Sequence, residues 1–478
     1  MLPSHKILTA ERQTACRSTI ALLHCYDLIE DFLQTLNLSF QEFCDQFMGS
    51  WMFGYIIALQ KANVRVVLFC ISAQVQTPTR FLHRPTGATI CVLPPTKLYR
   101  FYRKLRRHSL SLYGAEAGQS FKDVQSASSG LRAGLTPIKD FLKSLGTYCC
   151  MPLNLLADEL RRENCQVILC QEYEYARFDV CVLLGKWLRL PVFATFQGGD
   201  RTQSGLEVPL RWLTLQQCTG LIIPSQREIE RVRQRYPIAN RPIAKIFNPF
   251  DPSVWSTQLA NNRQELRQQA RQQLGIPASA QVVIWHGRVE IERKGLDILL
   301  AVWQQIQQRR QGRDLRLLLV GTGSDAQQLQ QRLAANPLPG LEWHKEFIRD
   351  QPRLGQYLHA ADIYVFPSRL EGFPLAPLEA MACGLPIVAA DAPGIPDILP
   401  DGEANGGLVV SRGDVGALAD ALGKLLDDSG WAETLGQRAY QHVQSFSMEV
   451  IGQQLREFLL SSSDQTDLLT TQKIESTV

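Results

Sequence analysis

No stretch of this chain is apolar for long enough to cross a bilayer. The longer uncharged runs, such as Met48–Leu59, fall well short of the roughly 20 residues a spanning helix needs. The first twenty residues, MLPSHKILTAERQTACRSTI, lack the apolar core of a signal peptide. A cytoplasmic protein is expected, touching a membrane at its inner surface at most. Charge of one sign is also missing. With 50 Lys and Arg against 46 Asp and Glu the formal charge is +4 over 478 residues, which argues against a general nucleic-acid binder. Twelve cysteines are present, eleven of them before residue 219, yet none forms CxxC. Their spacing is irregular and their neighbours are often apolar (LHCYD, LFCIS, TICVL, ILCQE), so a disulfide framework is not expected and a reducing compartment fits. The Cys149–Cys150 pair reads the same way, as buried packing rather than reactive thiols. There is no internal repeat. No GxGxxG follows an early strand with an acid about twenty residues on, which disfavours a Rossmann dehydrogenase.

What is present is an ordinary globular composition, 45% apolar and 20% charged, on a chain long enough for two or three domains. The first half alternates strand-like and helix-like segments. Thr19–Cys25, Val64–Ile71, Ala88–Leu93, Gln166–Cys170, Val192–Phe196 and Gly220–Ile223 read as strands. Ser50–Ala62, Pro137–Leu145, Asn154–Arg162, Phe178–Arg189 and Gln226–Tyr236 read as helices. Alternation of this kind gives a parallel sheet with helices on both faces. Ser109–Gly134, rich in Ser, Gly and Ala, reads as a loop or insertion, and Ile29–Phe47 has no clear pattern.

At Ile246–Asp251, IFNPFD, the pattern breaks, and a second α/β series follows. Strands are predicted at Gln281–Trp285, Leu315–Val320, Leu341–His344, Ile363–Phe366, Pro386–Ala390 and Leu408–Val410. Helices are predicted at Asn262–Leu274, Leu296–Arg309, Asp325–Ala335, Gln351–Ala360, Val415–Asp427, Trp431–Gln444 and Met448–Leu460. Residues 461–478 are polar and read as a disordered tail.

Within this series the stretch Asp362–Asp391, DIYVFPSRLEGFPLAPLEAMACGLPIVAAD, is the densest in information. Two apolar strands flank a short helix whose first turn accepts Pro374 and Pro377, and which Gly384 and Pro386 end. From Phe373 to Ala390 the only charged residue is Glu379, so the helix is buried and its carboxylate needs a partner. Glu371 lies in the loop before that helix, where backbone N–H groups favour anions, although the pair taken alone reads equally as a helix-start acid and an exposed helix residue. Upstream, His286–Asp297 follows a buried strand and opens a helix. Gly287 lets the backbone turn tightly, and Arg288 and Lys294 are cations suited to a diphosphate. Gly321-Thr322-Gly323 resembles a nucleotide-binding turn, although so short a motif is equally a plain strand-to-helix turn.

In order these elements read GRxxxxRKGLDxLL, LLLVGTGSD, ADIYVFPSRLEGFPLAPLEAMACGLPIVAAD and DGEANGGLVV. Taken together they resemble glycosyltransferase family 4 (group 1), with the GT-B fold, densely over 281–425. The earlier segments GSWMFGYIIALQKANVRVVLF, VFATFQGGD, LIIPSQREIERV and IFNPFD resemble that family more thinly. The resemblance implies an α/β protein of two Rossmann-like doubly wound domains facing across a cleft. An acceptor-binding domain would span 1–246, a nucleotide-sugar-binding domain 247–445, and a C-terminal helix at 446–460 would pack back on the first. It implies a retaining hexosyltransferase that moves a sugar from a nucleotide-diphosphate donor to a hydroxyl of a glycan or lipid-linked acceptor. Glu371 matches the glutamate that contacts the donor sugar, Glu379 the one that contacts ribose, and Arg288 and Lys294 the phosphate-binding cations. Gly372, Phe373, Pro374 and Leu375 match the turn that cradles the diphosphate, with Gly287, Gly321 and Gly323 around it. No cofactor and no metal are expected, since fixed cations can stabilise a leaving diphosphate and no Asp-x-Asp stands at a comparable strand end.

The acceptor side departs from the family pattern. Gln197-Gly198 stands where His-Gly is usual, and a glutamine cannot act as a base near pH 7. The glycine pair of the first loop is reduced to Gly49-Ser50, and residues 27–47 look inserted. Asp397 replaces a commoner glutamate. Lys97–His108, KLYRFYRKLRRH, carries six Lys and Arg and no acid among Leu, Tyr and Phe residues. A solvated helix with one buried face is the first reading. Peripheral contact with an anionic membrane is the second, and nucleic-acid binding is not expected. Rival functions are a GT-B epimerase or phosphorylase-like enzyme and a non-catalytic nucleotide-sugar binder.

Overall fold

The computed structural model describes residues 17–24, 28–33, 38–48, 51–100, 148–196, 203–238, 241–256, 259–346, 348 and 350–475, excepting the side chains of 31, 32, 51, 256, 259–262 and 462–475. Gly49, Gln197, Gly198, most of Lys97–His108, Ser109–Gly134 and Pro137–Leu145 lie outside them. The chain gathers into two units. One holds Met1–Ile223, Glu228–Ile246 and Gly452–Val478, and the other Pro224–Arg227 and Phe247–Ile451.

Among the described residues the first unit is built on eight strands: β1 (Thr19–Leu23), β2 (Arg65–Ile71), β3 (Thr79–His83), β4 (Ala88–Leu93), β5 (Cys165–Cys170), β6 (Val192–Thr195), β7 (Gly220–Ile222) and β8 (Ile243–Ala244). They run in the order β3-β4-β2-β1-β5-β6-β7-β8. All pairings are parallel except β3 with β4, an antiparallel edge absent from the sequence reading. The miss has a simple cause, because TRFLH carries no run of core residues and only His83 on it is buried. Helices α1 (Trp51–Lys61) and α2 (Ala176–Leu188) pack on this sheet, and α3 (Glu207–Gln217) packs on α2. Helix α3 escaped the sequence because its exposed face carries Val208, Trp212 and Leu213, which blurs the polar–apolar period. Its Arg211 is fully buried and bonds the Asp179 carboxylate of α2 at 2.8 and 3.0 Å, where Tyr148 also donates at 2.7 Å. Every described cysteine is a free thiol and all but Cys149 are buried.

The second unit carries β9 (Gln281–His286), β10 (Leu315–Val320), β11 (Leu341–His344), β12 (Ile363–Phe366), β13 (Ile387–Ala390) and β14 (Gly407–Val410), ordered β11-β10-β9-β12-β13-β14 and parallel throughout. Strands such as VVIW and IYVF are near-continuous apolar runs because both faces are covered, and Trp285 and Tyr364 are essentially inaccessible. Helices α4 (Leu296–Arg309), α5 (Gln351–Ala360), α6 (Ala376–Ala382), α7 (Val415–Asp427) and α8 (Ser429–Val443) supply the cover. On α4, Leu296, Leu299, Val302, Trp303 and Ile306 repeat at helical spacing and are all buried. The strand order reverses direction between β9 and β12, and the carboxyl ends of two strands at such a switch are where open α/β sheets form a ligand crevice. Helix α9 (Met448–Glu475) closes the chain, and its residues from Gly452 belong to the first unit. There Phe458 packs edge-on against Phe193, 5.2 Å between ring centres. Of the expected tail, the side chains from 462 on lie outside the described residues, while the helical backbone runs on to Glu475.

Candidate active site

The crevice between β9 and β12 collects most of the residues singled out in the sequence. Two glycine-rich loops form its floor. The N–H of Gly287 donates to Val320 O at 3.0 Å and that of Val289 to Thr322 O at 3.1 Å, which stitches the loop after β9 to the loop after β10. A Cβ on Gly321 would stand 1.9 Å from Gly287 O, and one on Gly323 2.4 Å from Val289 O. The Gly-x-Gly pattern is thus required by the close approach of two backbones, a packing reason that holds whatever the turn binds.

Above that floor the loop after β9 is tied to the loop after β12. Arg369 grips Asp297 with two bonds of 2.7 Å, and its N–H donates to Arg293 O at 2.9 Å. Burial raises the Asp297 carboxyl, but the bonds and charge of Arg369 outweigh it and leave the group below its ordinary value. Between these loops Lys294 Nζ donates to Glu371 Oε1 at 2.7 Å, with the Lys294 side chain 19% and the Glu371 side chain 7% exposed. Arg288, by contrast, is 70% exposed, and its partner among the described residues is Glu290, at 3.2 Å.

Glu371 leads into the turn Gly372–Leu375. The N–H groups of Gly372, Phe373 and Leu375 donate to no described residue. The turn is wedged in place by Gly394, where a Cβ would meet Gly372 O at 2.7 Å. Helix α6 then starts, and its first turn carries Glu379. The carboxylate has a protein partner that the sequence reading did not assign: His286, the last residue of β9, holds Glu379 Oε2 at 2.6 Å through Nε2. Tyr364 of β12 lies under the pair, its ring 5.3 Å from the imidazole and its hydroxyl donating to His286 O at 3.4 Å. Burial first, then the carboxylates of Glu379 and Glu371, push the Tyr364 phenol well above its ordinary value, so it remains a donor. Two buried atoms here have no partner among the described residues, His286 Nδ1 and Ser368 Oγ.

Of the expected donor-site residues, the structure brings Lys294 to Glu371 and places Glu379 one helical turn into α6. Gly287, Gly321 and Gly323 lie beneath, and Arg288 stands on the exposed rim. Missed were His286, Arg369 and Asp297, whose signal is a strand-terminal position and an opposite-charge pair 72 residues apart. Asp397 accepts the N–H of Gln226 at 3.1 and 3.2 Å, a structural anchor within the second unit. The expected acceptor-side residues Gly49, Gln197 and Gly198 are not among the described ones.

A crevice at a strand-order switch, lined by a Lys–Glu pair and an open backbone turn, sits in a two-unit Rossmann-like α/β fold of the GT-B type. Residues 280–428 match the family model described as Glycosyl transferases group 1. The D-inositol 3-phosphate glycosyltransferase of Corynebacterium aurimucosum is 36% identical over 239 residues, 49% of this chain and 55% of that protein. The chain thus spans about half the length of the curated relatives it matches. Among solved structures, sucrose-phosphate synthase from Thermosynechococcus elongatus superposes with a TM-score of 0.60 at 20% identity, covering 96% of this chain and 100% of the other. Anabaena HepE in complex with UDP gives 0.62 at 18% identity, covering 93% and 100%. At these identities the likeness establishes the fold.

Proposed function

We propose that the chain is a retaining glycosyltransferase that moves a hexose from a nucleotide-diphosphate sugar to an acceptor hydroxyl. The observation that carries this reading is the Lys294–Glu371 pair, set beside a turn whose Gly372, Phe373 and Leu375 N–H groups have no acceptor among the described residues. A diphosphate that leaves with the electron pair of the glycosidic bond gains negative charge. Lys294, Arg288 and the turn's N–H groups face that charge, and they stabilise the transition state more than the ground state. The positive charge comes from side chains, with no metal ion in this reading. Glu371, oriented by Lys294, contacts the donor sugar, and Glu379 takes the ribose. The acceptor hydroxyl attacks from the face the diphosphate leaves, and a phosphate oxygen receives its proton.

The acceptor is a glycan or a lipid-linked sugar, held on the first unit near Gly49, Gln197 and Gly198. A lipid-linked acceptor would bring the chain to the cytoplasmic membrane surface, with Lys97–His108 as the contact. No helix among the described residues is long and apolar enough to cross a membrane. The relative's printed name, an inositol phosphate glycosyltransferase, and HepE's complex with UDP support a nucleotide-sugar donor. A thermal-shift panel of UDP-, ADP- and GDP-sugars tests the reading, since only a ligand that prefers the native state raises the melting point. Incubation of the best donor with and without acceptor then separates transfer from epimerisation. A chain that no nucleotide-sugar stabilises would overturn it.

A further inference from the structure

We propose that His286 is a positioning residue that locks the Glu379 carboxylate for a ribose and so sets the site's preference for ribonucleotides. This rests on the reading of Glu379 as the ribose contact. The bond from Nε2 to Glu379 Oε2 is 2.6 Å, and the imidazole is 6% exposed. Nδ1 is buried and has no partner among the described residues. A carboxylate can only accept, so Nε2 carries the proton and donates it to Oε2. Backbone contacts fix the donor itself. His286 ends the central strand β9, paired with Val320 of β10, and its carbonyl accepts from Tyr364.

The consequence falls on Glu379. Its Oε2 is occupied, and its Oε1 has no partner among the described residues. A free glutamate samples several rotamers and loses them on binding. Here the imidazole has already removed that freedom, so a single oxygen is presented in one orientation to vicinal hydroxyls. A site built to bond a hydroxyl rejects the analogue that lacks it, because the carboxylate is then left unpaired.

The test is calorimetric binding of UDP, ADP and GDP, each against its 2′,3′-dideoxy counterpart, to the full chain. The wild type is expected to prefer the ribose form of its best nucleotide by about tenfold or more, the effect of one hydrogen bond to a charged group. His286→Ala should bring the two forms within about twofold. His286→Gln, whose amide nitrogen reaches the Nε2 position, should keep the preference, and His286→Asn, which reaches only the Nδ1 position, should lose it. If His286→Ala does not fold, the comparison of Gln with Asn carries the test. Full preference retained in both Ala and Asn overturns the inference and leaves the functional reading standing. A wild type that binds none of the three nucleotides overturns the functional reading and this inference with it.

Discussion

Lys294 Nζ and Glu371 Oε1 stand 2.7 Å apart, one on the loop leaving β9 and the other on the loop leaving β12. The pair ties together the loops that leave the two central strands of the second sheet, and both side chains are largely sheltered from water.

Removing one member strands the other. Lys294→Met should lower transfer by about 10²–10³-fold, the scale of losing one fixed electrostatic group, and should cost roughly 3 kcal/mol of stability. Adding Glu371→Gln should recover most of the stability and none of the transfer. Denaturant midpoints beside initial rates check both halves, and recovery of rate in the double variant would contradict the assigned role.

Gly321 and Gly312 both have positive φ, 142° and 83°. A methyl group at 312 meets nothing within 4 Å, whereas at 321 it lands 1.9 Å from Gly287 O. Gly312→Ala should cost about 1 kcal/mol and Gly321→Ala clearly more, on the order of 3 kcal/mol, since backbone on both sides must move. Paired unfolding curves decide it, and equal costs would count against the close approach of the two loops.

His359 on α5 is pushed down to about 4, first by burial and then by the charge of Arg263. Its ordinary value is about 6.5, so between these limits the unfolded chain binds a proton that the folded chain does not. Stability should therefore fall as pH drops from about 6.5 to 4, by about 3 kcal/mol across the window for this group. His359→Leu should flatten that slope in urea titrations taken at several pH values. An unchanged slope would remove His359 as its source.

In the first unit Arg211 and Asp179 are both buried. Arg211→Met leaves the Asp179 carboxylate, among the described residues, with the hydroxyls of Tyr148 and Thr214 as donors and should destabilise by about 3–5 kcal/mol. Adding Asp179→Asn should return a good part of that. A double-mutant cycle with no coupling would show that the pair contributes nothing as a pair.

Much of the second unit could be read before any coordinates, for a physical reason. Strands covered on both faces, such as Leu315–Val320 and Ile363–Phe366, must be continuously apolar, and helices such as Leu296–Arg309 and Gln351–Ala360 repeat at helical spacing; these ranges match the structure. Edge and partly exposed elements obey no such rule, which is why Thr79–His83 and Glu207–Gln217 went unread. In the site, positions that must be glycine, proline or a lone acid in an apolar run were legible. The partner of Glu379 was not. His286 lies 93 residues away, and only the neighbouring of β9 and β12 brings them together. Arg369 and Asp297 escaped for the same reason, since pairing across loops follows sheet order and leaves no mark on local pattern.

The allocation of residues between the units has a consequence for how the protein is made. Gly452, where a Cβ would lie 2.1 Å from Ala58 O, and Phe458, packed on Phe193, belong to the unit whose first strand begins at Thr19. Emerging from the ribosome, the strands β1–β8 must wait through the synthesis of more than 200 residues before α9 covers them. The unit synthesised second has all its parts first, and the earlier sheet is finished last, so a nascent chain that has emerged as far as Ile451 should hold a complete second unit while the first unit still leaves an apolar surface open to chaperones.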